Sequence, residues 1–521
     1  MTYTVCPDGC DYTTPDAALS GGLIADGDTI DIANETYELG GTMLVQNSIT
    51  ILGNNSVIDA NTIPGEPAIV VVAAASNVSM SNITIRNAQV DEGNGGALRM
   101  TGGVQVNLIN VNFENNQAES GGAIYNNGSN LFVNVAVFSG NRATNGDGGA
   151  IFTDNLGISN LQRTIIDGNT ASNAGGGVAV SGNSPLDPQV RSQIDLNRST
   201  VSNNTAVTVA LDQSNDTSNG TSTACGNGEA GTQGQTFLPT TEILTAFEFE
   251  VAPGGTPPAP GTLLQGRVRL GDQDGPVIAT ATTVWPVGQP TFLRYELDVP
   301  VSVTTGILHS IEIDTSGPSV FGIPTTIGSN PYTDGSIYYI CDQLITPAPD
   351  DDYDFRTFGG PQGEGSGVHS SLGGHAGLVN TTVSGNVGDG VFATAGGLVS
   401  TWFNTIANNS GVGATATPEV LEPDFIEAGL VFLTASIVAE NGGDDCNGDM
   451  VTSGYNLIGE DTNCVLGPEP NGTDIIGTGQ EPEDPLLGPL QNNGGFTPTH
   501  AIDGNSPAFD AAGPDDPGLP C

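Results

Sequence analysis

Phe113-Glu-Asn-Asn116, followed by Gly121-Gly-Ala-Ile124, returns as Phe138-Ser-Gly-Asn141 with Gly148-Gly-Ala-Ile151, and again as Ile166-Asp-Gly-Asn169 with Gly175-Gly-Gly-Val178. An apolar residue three before an Asn, then a Gly pair and a short apolar run, recurs every 25 to 28 residues. The same apolar-x-x-Asn signature reappears at Val201/Asn204, Val383/Asn386, Ile406/Asn409 and Val438/Asn441. A fixed period of this length marks a repeat architecture. Short strands and tight bends at each period predict a right-handed parallel β-helix, each coil pairing with the next roughly 4.8 Å away. Asn116, Asn141, Asn169, Asn204, Asn386, Asn409 and Asn441 are expected to stack as a structural ladder of amides, at a bend where Asn tolerates the left-handed conformation. The Gly pair suits a bend where Cβ atoms would crowd the next coil.

The composition agrees with a solenoid of thin strands: 74 Gly in 521 residues, 13% charged and 6% aromatic. Ten basic residues, all Arg, face 58 acidic ones, for a formal charge of −48. Such a surface excludes nucleic acid and anionic membranes as partners and attracts divalent cations. No apolar run reaches the roughly 18 residues of a membrane span, so no membrane insertion is expected. The chain opens at Met1 in fold-like sequence, so a secretion signal is expected either to have been removed or never to have existed.

Seven Cys fit no compact zinc pattern. The simplest disulfide set pairs Cys6 with Cys10, Cys446 with Cys464, and Cys225 with Cys341, which places the chain in an oxidising compartment, extracellular or at a cell surface. Cys521 is left over.

Taken in order, residues 1–22 read as an N-terminal cap, with a short helix opened by Thr14-Pro15-Asp16 and stopped by Gly21-Gly22. The first part of the β-helix covers 23–206. Residues 207–236 lack apolar rhythm and read as a linker; 237–360 alternate with period two between Pro/Gly turns, as an inserted antiparallel β-sandwich would. The solenoid resumes over 361–445, and 446–521 supply C-terminal rungs and a tail that runs along the solenoid or covers its last rung.

These paired motifs resemble the repeat of the polymorphic outer membrane protein family over about residues 95–205. The opening Val5-Cys-Pro-Asp-Gly-Cys-Asp-Tyr12 and the closing Asp484-Pro-Leu-Leu-Gly-Pro-Leu490, Asn493-Gly-Gly-Phe-Thr-Pro-Thr-His500 and Ser506-Pro-Ala-Phe-Asp510 resemble secreted bacterial β-helix proteins of the choice-of-anchor class. Similar proteins continue into an anchor, so a processed or trimmed C-terminus is expected. The insert, through Asn330-Pro-Tyr-Thr-Asp-Gly-Ser-Ile-Tyr-Tyr339 and Asp354-Phe-Arg-Thr-Phe358, is similar to jelly-roll modules of bacterial exoproteins. Comparable modules bind carbohydrate, a likeness that does not by itself establish function.

Parallel β-helices also host polysaccharide lyases and hydrolases, which need calcium carboxylates beside a cationic base or a convergent carboxylate pair. The available bases are Arg86, Arg99, Arg142, Arg163, Arg191 and Arg198, with Asp147 and Asp154 near Arg142. Gly373-Gly-His375-Ala-Gly377 is the nearest approach to a hydrolase signature, but it occupies the place of a Gly-Gly repeat motif, so His375 reads as a bend residue. His309, His369 and His500 suggest no triad. Calcium is the one cofactor expected, at Asp272 and Asp274, at Asp350, Asp351, Asp352 and Asp354, and at Asp444, Asp445 and Asp449. The function expected is a non-catalytic adhesive or structural rod that presents the inserted module to surface glycans or associates with itself into fibres. A polysaccharide lyase or glycoside hydrolase is the alternative.

Overall fold

The structure, a computed structural model, describes the chain except residues 64, 73–74, 76, 183–190, 208–209, 216–219, 223–230, 257, 286–291, 315–319, 327–331, 333–334, 342–343, 349–350, 361–362, 419–427, 468–471 and 512–521. It divides into two compact units, Met1–Ala206 with Gly363–Cys521, and Val207–Gln362.

The first unit is a parallel β-helix. The coil around Asn141 shows how sequence makes it. Strand Ile124–Asn127 turns into the ten-residue strand Asn130–Ser139, which Val135 (φ 62°) bends midway. Gly140 (φ 63°) turns the chain again, Asn141 follows, and Arg142–Ala143 form a short third side before Gly148 and Gly149 close the coil. Each side pairs in parallel with its equivalents: Asn130–Ser139 with Gln105–Glu114 and Ile158–Asp167, Ile124–Asn127 with Leu98–Thr101 and Ile151–Asp154. The stacking continues across the long excursion of the chain, since Val178–Ser181 pair with Val368–Ser371 and Gln193–Asn197 with His375–Val379.

Alternate residues point inward and stack on their copies. Phe113 and Phe138 lie ring on ring, with centroids 4.8 Å apart and planes 9° apart, and Ile166, Val201, Val383, Ile406 and Val438 continue the file, all fully buried. The glycine pair closes each coil for steric reasons. A Cβ on Gly149 would sit 2.1 Å from the Gly176 carbonyl and 2.7 Å from the Thr170 amide, so only hydrogen fits.

The amide file is present. Asn116 donates its side-chain N–H to Asn141, Asn141 to Asn169, Asn169 to Asn204, Asn204 to Asn386, Asn386 to Asn409 and Asn409 to Asn441, at 2.8–3.0 Å. Each also donates to the carbonyl of the inward residue one coil back, as Asn141 does to Phe113 at 3.0 Å. One expectation is corrected: the left-handed residue is the one before each ladder Asn. Asn115, Gly140, Gly168, Asn203, Gly385, Asn408 and Glu440 have positive φ, and the ladder residues do not. Asn is selected there for an amide that accepts from one side and donates to the other.

A helix over Pro15–Ser20 lies at the N-terminal end, with Pro15 and Ala18 buried. Cys6–Cys10 and Cys446–Cys464 are disulfide-bonded; Cys225, the Cys341 side chain and Cys521 lie outside the described residues. The C-terminal segment forms an antiparallel ribbon, with bridges Leu487 to Ile502 and Gln491 to Thr499. It runs along the solenoid: Thr200 donates to the Pro498 carbonyl at 2.6 Å, Ser384 Oγ meets His500 Nε2 at 2.8 Å, and the Arg163 guanidinium lies 4.5 Å over the Phe496 ring.

The second unit is antiparallel, with a ten-stranded sheet around Phe237, Phe247, Phe249, Tyr295, Ile311, Tyr353 and Phe355. The described parts of 207–236 differ from the linker expected there. Ala210–Asn215 and Gly231–Phe237 are strands of that sheet, and Gln233 and Gln235 are fully buried. Gln235 holds Asp352 and the Tyr353 amide through its side-chain amide, so hydrogen bonds do there what apolar rhythm does elsewhere. The buried Glu312 is held by Arg269 at 2.9 Å, Arg267 at 2.6 Å and the Tyr338 hydroxyl at 2.7 Å.

Candidate functional site

The outward face of the strands around Gln193–Asn197 carries a groove of about 310 Å³. The strand Ile158–Asp167 supplies Asn160 and Gln162, and Gln193–Asn197 supplies Asp195 and Asn197. His375–Val379 supplies His375, Gly377 and Val379, and Leu398–Trp402 supplies Ser400 and Trp402. The parallel register sets these residues in rows along the solenoid axis. One row reads Asn160, Asp195, Gly377, Ser400; the next reads Gln162, Asn197, Val379, Trp402. Each side chain stands about 4.8 Å from its row neighbour.

Gly377 breaks its row. A Cβ there would lie 2.5 Å from Asp195 Oδ1 and 3.9 Å from His375 Cε1, so the missing side chain gives the carboxylate and the ring their room. His375 Nε2 is 3.1 Å from Ser400 Oγ. Asp195 Oδ2 accepts from Gln193 Nε2 at 2.7 Å, which fixes the carboxylate against the strand. Burial pushes the His375 pKa below its ordinary value; the Asp195 charge opposes that and Arg191 adds to it. Trp402 is 52% exposed at the rim. His375 is therefore not a bend residue: Gly373 and Gly374 make the bend, and His375 opens the strand with its ring outward. The sequence signal was period-two alternation, His375 and Gly377 out, Ala376 and Leu378 in.

The expected calcium residues are not brought together. Among the described residues there is no group of three or more His, Cys, Asp or Glu side chains able to hold a metal. Asp272 accepts from the Asp274 amide at 3.1 Å, a local turn. Asp352 is buried, accepts from Gln235 Nε2 and the Tyr332 amide at 3.1 Å each, and burial raises its pKa. Asp354 is buried beside it in sequence, Asp351 is half-buried, and Asp350 lies outside the described residues. Asp444 accepts from Asn463 Nδ2 at 2.5 Å, and Asp449 is exposed on its strand. Asp445 ends the amide file, taking both N–H groups of Asn441.

Several of the residues weighed for a lyase have other partners. Arg86 pairs with Asp59 at 2.9 Å. Asp147 accepts from Asn173 at 2.6 Å and from the Ala174 amide, and Asp154 accepts from the Tyr125 hydroxyl at 3.0 Å, its pKa raised by burial. His369 lies 3.3 Å from Glu364, and His309 Nδ1 meets the Ile307 carbonyl at 2.7 Å.

Sequence reasoning missed a second polar file. Thr164 donates its backbone N–H to Ser199 Oγ, and at the same corner of later coils Thr381, Asn404, Ser436, Asn456 and Asp474 follow one another, backbone N–H to side-chain oxygen, at 2.7–3.2 Å. Their shared signal is position: residues 163, 198, 380, 403, 435 and 455, each just before a member of the file, all have positive φ.

Among the described residues no helix is long and apolar enough to cross a membrane. No family model matches the chain, and no curated protein matches it. Among solved structures, the enzymatically active domain of bacteriophage CBA120 tailspike protein 4 aligns at 10% identity and a TM-score of 0.13, over 57% of this chain and 63% of that one. This chain thus spans less than two thirds of that domain, and a likeness at this level bears on neither its activity nor its ligand.

Proposed function

We propose that this protein is an extracellular β-helix that holds a neutral polysaccharide along the groove between Asn160 and Trp402. One observation carries the reading: a half-exposed indole stands on the same row as Gln162 and Asn197, beside a row of Asn160, Asp195 and Ser400. A sugar ring offers an apolar face and a rim of hydroxyls. An aromatic plane with amide, carboxylate and hydroxyl groups at fixed spacing matches both. The −48 charge disfavours acidic polymers, which leaves uncharged glycans as the class. The two disulfides suit an oxidising exterior.

Cleavage of the glycan backbone is the second reading and is weaker. Acid–base glycoside hydrolysis uses two carboxyl groups about 5 to 9.5 Å apart, and among the described residues Asp195 is the carboxylate that lines the groove. Retention in affinity gels containing neutral xylan or galactan, compared with polygalacturonate, tests the proposal. Neutral gels should retard the protein, and Trp402→Ala should weaken retention severalfold to about tenfold, as loss of a stacking aromatic face does. Equal retention of wild type and variant, or preference for polygalacturonate, overturns it.

A further inference from the structure

We infer that the groove hydrolyses esters carried on its glycan, with Ser400 as nucleophile, His375 as general base and Asp195 as the carboxylate that supports the imidazolium. The substrate class rests on the glycan reading above, while the chemistry stands on the geometry of three adjoining coils. Asp195, Gly377 and Ser400 share one outward row. His375 starts the middle strand two residues before Gly377, on the same face, and its ring borders the space a side chain at 377 would fill. The same space receives Asp195 Oδ1, and Ser400 Oγ stands 3.1 Å from His375 Nε2. Nucleophile and base thus meet, and Asp195 lies across the gap left at Gly377, where its charge acts on the ring. Asp195 and Ser400 are held mid-strand, and His375 at the first position of its strand is paired on both sides, with Gln193 and Leu398.

Burial keeps the imidazole neutral at neutral pH, the state a base needs. Ser400 Oγ adds to the ester carbonyl carbon as its proton passes to His375 Nε2. The carbon–oxygen bond to the sugar then breaks, and His375 returns that proton to the departing sugar hydroxyl. Water next adds to the acyl-Ser400 carbonyl, losing a proton to His375, and Ser400 Oγ leaves and recovers it. One water is consumed, and one carboxylic acid and one free sugar hydroxyl are formed. The sequence hides the site because Asp195 precedes the excursion of the chain and His375 follows it.

The test uses the full chain, with a fluorophosphonate probe mapped by peptide mass and with turnover of p-nitrophenyl acetate and acetylated xylan. One label on the Ser400 peptide is expected, lost in Ser400→Ala and His375→Gln, with turnover falling on the order of 10²- to 10⁴-fold in each. No label on wild type, label at another residue, or undiminished turnover in folded Ser400→Ala overturns the inference. If a variant does not fold, label mapping on the wild-type chain decides. Gel retention separates the two readings: a retained but unlabelled protein loses the ester chemistry and keeps glycan binding. A labelled protein that no neutral glycan retains keeps Ser400 as an esterase nucleophile and loses the glycan.

Discussion

Asn441 donates its backbone amide and its side-chain amide to one oxygen of Asp445, at 3.1 and 2.9 Å. A file of amides, each donating to the next, must end on an acceptor, and a carboxyl oxygen of Asp445 is that acceptor. Asp445→Ala takes the acceptor from the half-buried Asn441 backbone amide and leaves its side-chain amide only the Ile406 and Ala439 carbonyls, so it should lower stability by about 1 to 2 kcal/mol in thermal or denaturant unfolding. The pH dependence has a definite sign. Burial raises the folded pKa of Asp445 above its ordinary 3.8, so the folded chain binds this proton more tightly than the unfolded one. The contribution of Asp445 is then fullest below 3.8 and falls as pH rises through the higher folded value. The melting gap between wild type and Asp445→Ala should be wider in acid than at neutrality; the opposite slope excludes this account.

Mid-file, Asn169 must both accept and donate. Its side-chain amide donates to Phe138 and Asn204 and its oxygen accepts from Asn141. Asn169→Ala should cost about 2 to 4 kcal/mol, and Asn169→Asp more, because it sets an uncompensated charge against a carbonyl. Unfolding midpoints of the two variants give the order.

The glycines divide into two kinds, and alanine should tell them apart. Gly149 meets backbone on every side, at 2.1, 2.7 and 2.8 Å from the added Cβ. Gly168 meets nothing within 4 Å and has only a positive φ of 65°. Gly168→Ala should therefore cost about 1 kcal/mol of left-handed strain, whereas Gly149→Ala should prevent stacking and leave little soluble folded protein. Similar yields and melting temperatures would refute the steric reading.

His375 faces Asp195 and Arg191, and burial outweighs the Asp195 charge, so its pKa lies below the ordinary 6.5. The acidic limb of kcat/KM for p-nitrophenyl acetate should therefore fall below that of a free imidazole. Asp195→Asn should move the limb lower still, since it removes the charge that favours the imidazolium. A limb that stays put in Asp195→Asn would mean the carboxylate does not act on the ring.

What was legible in the sequence follows from how strictly each position constrains residue type. The Asn116 file needs one group that accepts and donates, and only a carboxamide does both in that space, so the letter N recurs and the period is visible. The file from Thr164 to Asp474 asks only for an oxygen that accepts a backbone N–H. Ser, Thr, Asn and Asp all comply, so no single letter marks its period. The segment 207–236 was misread because its strands bury amides such as Gln233 and Gln235, which a hydrophobic pattern cannot register. The groove was invisible for a different reason. Rows run across coils, so its members are neighbours only once register is known.

That register has one more effect. Asp195 belongs to a coil made before the chain departs for Val207–Gln362, and His375 and Ser400 belong to coils made after its return. On the inference drawn above, Asp195 reaches the His375–Ser400 pair only once the two solenoid portions stack in register. A chain whose seam has not formed would hold that pair without its carboxylate.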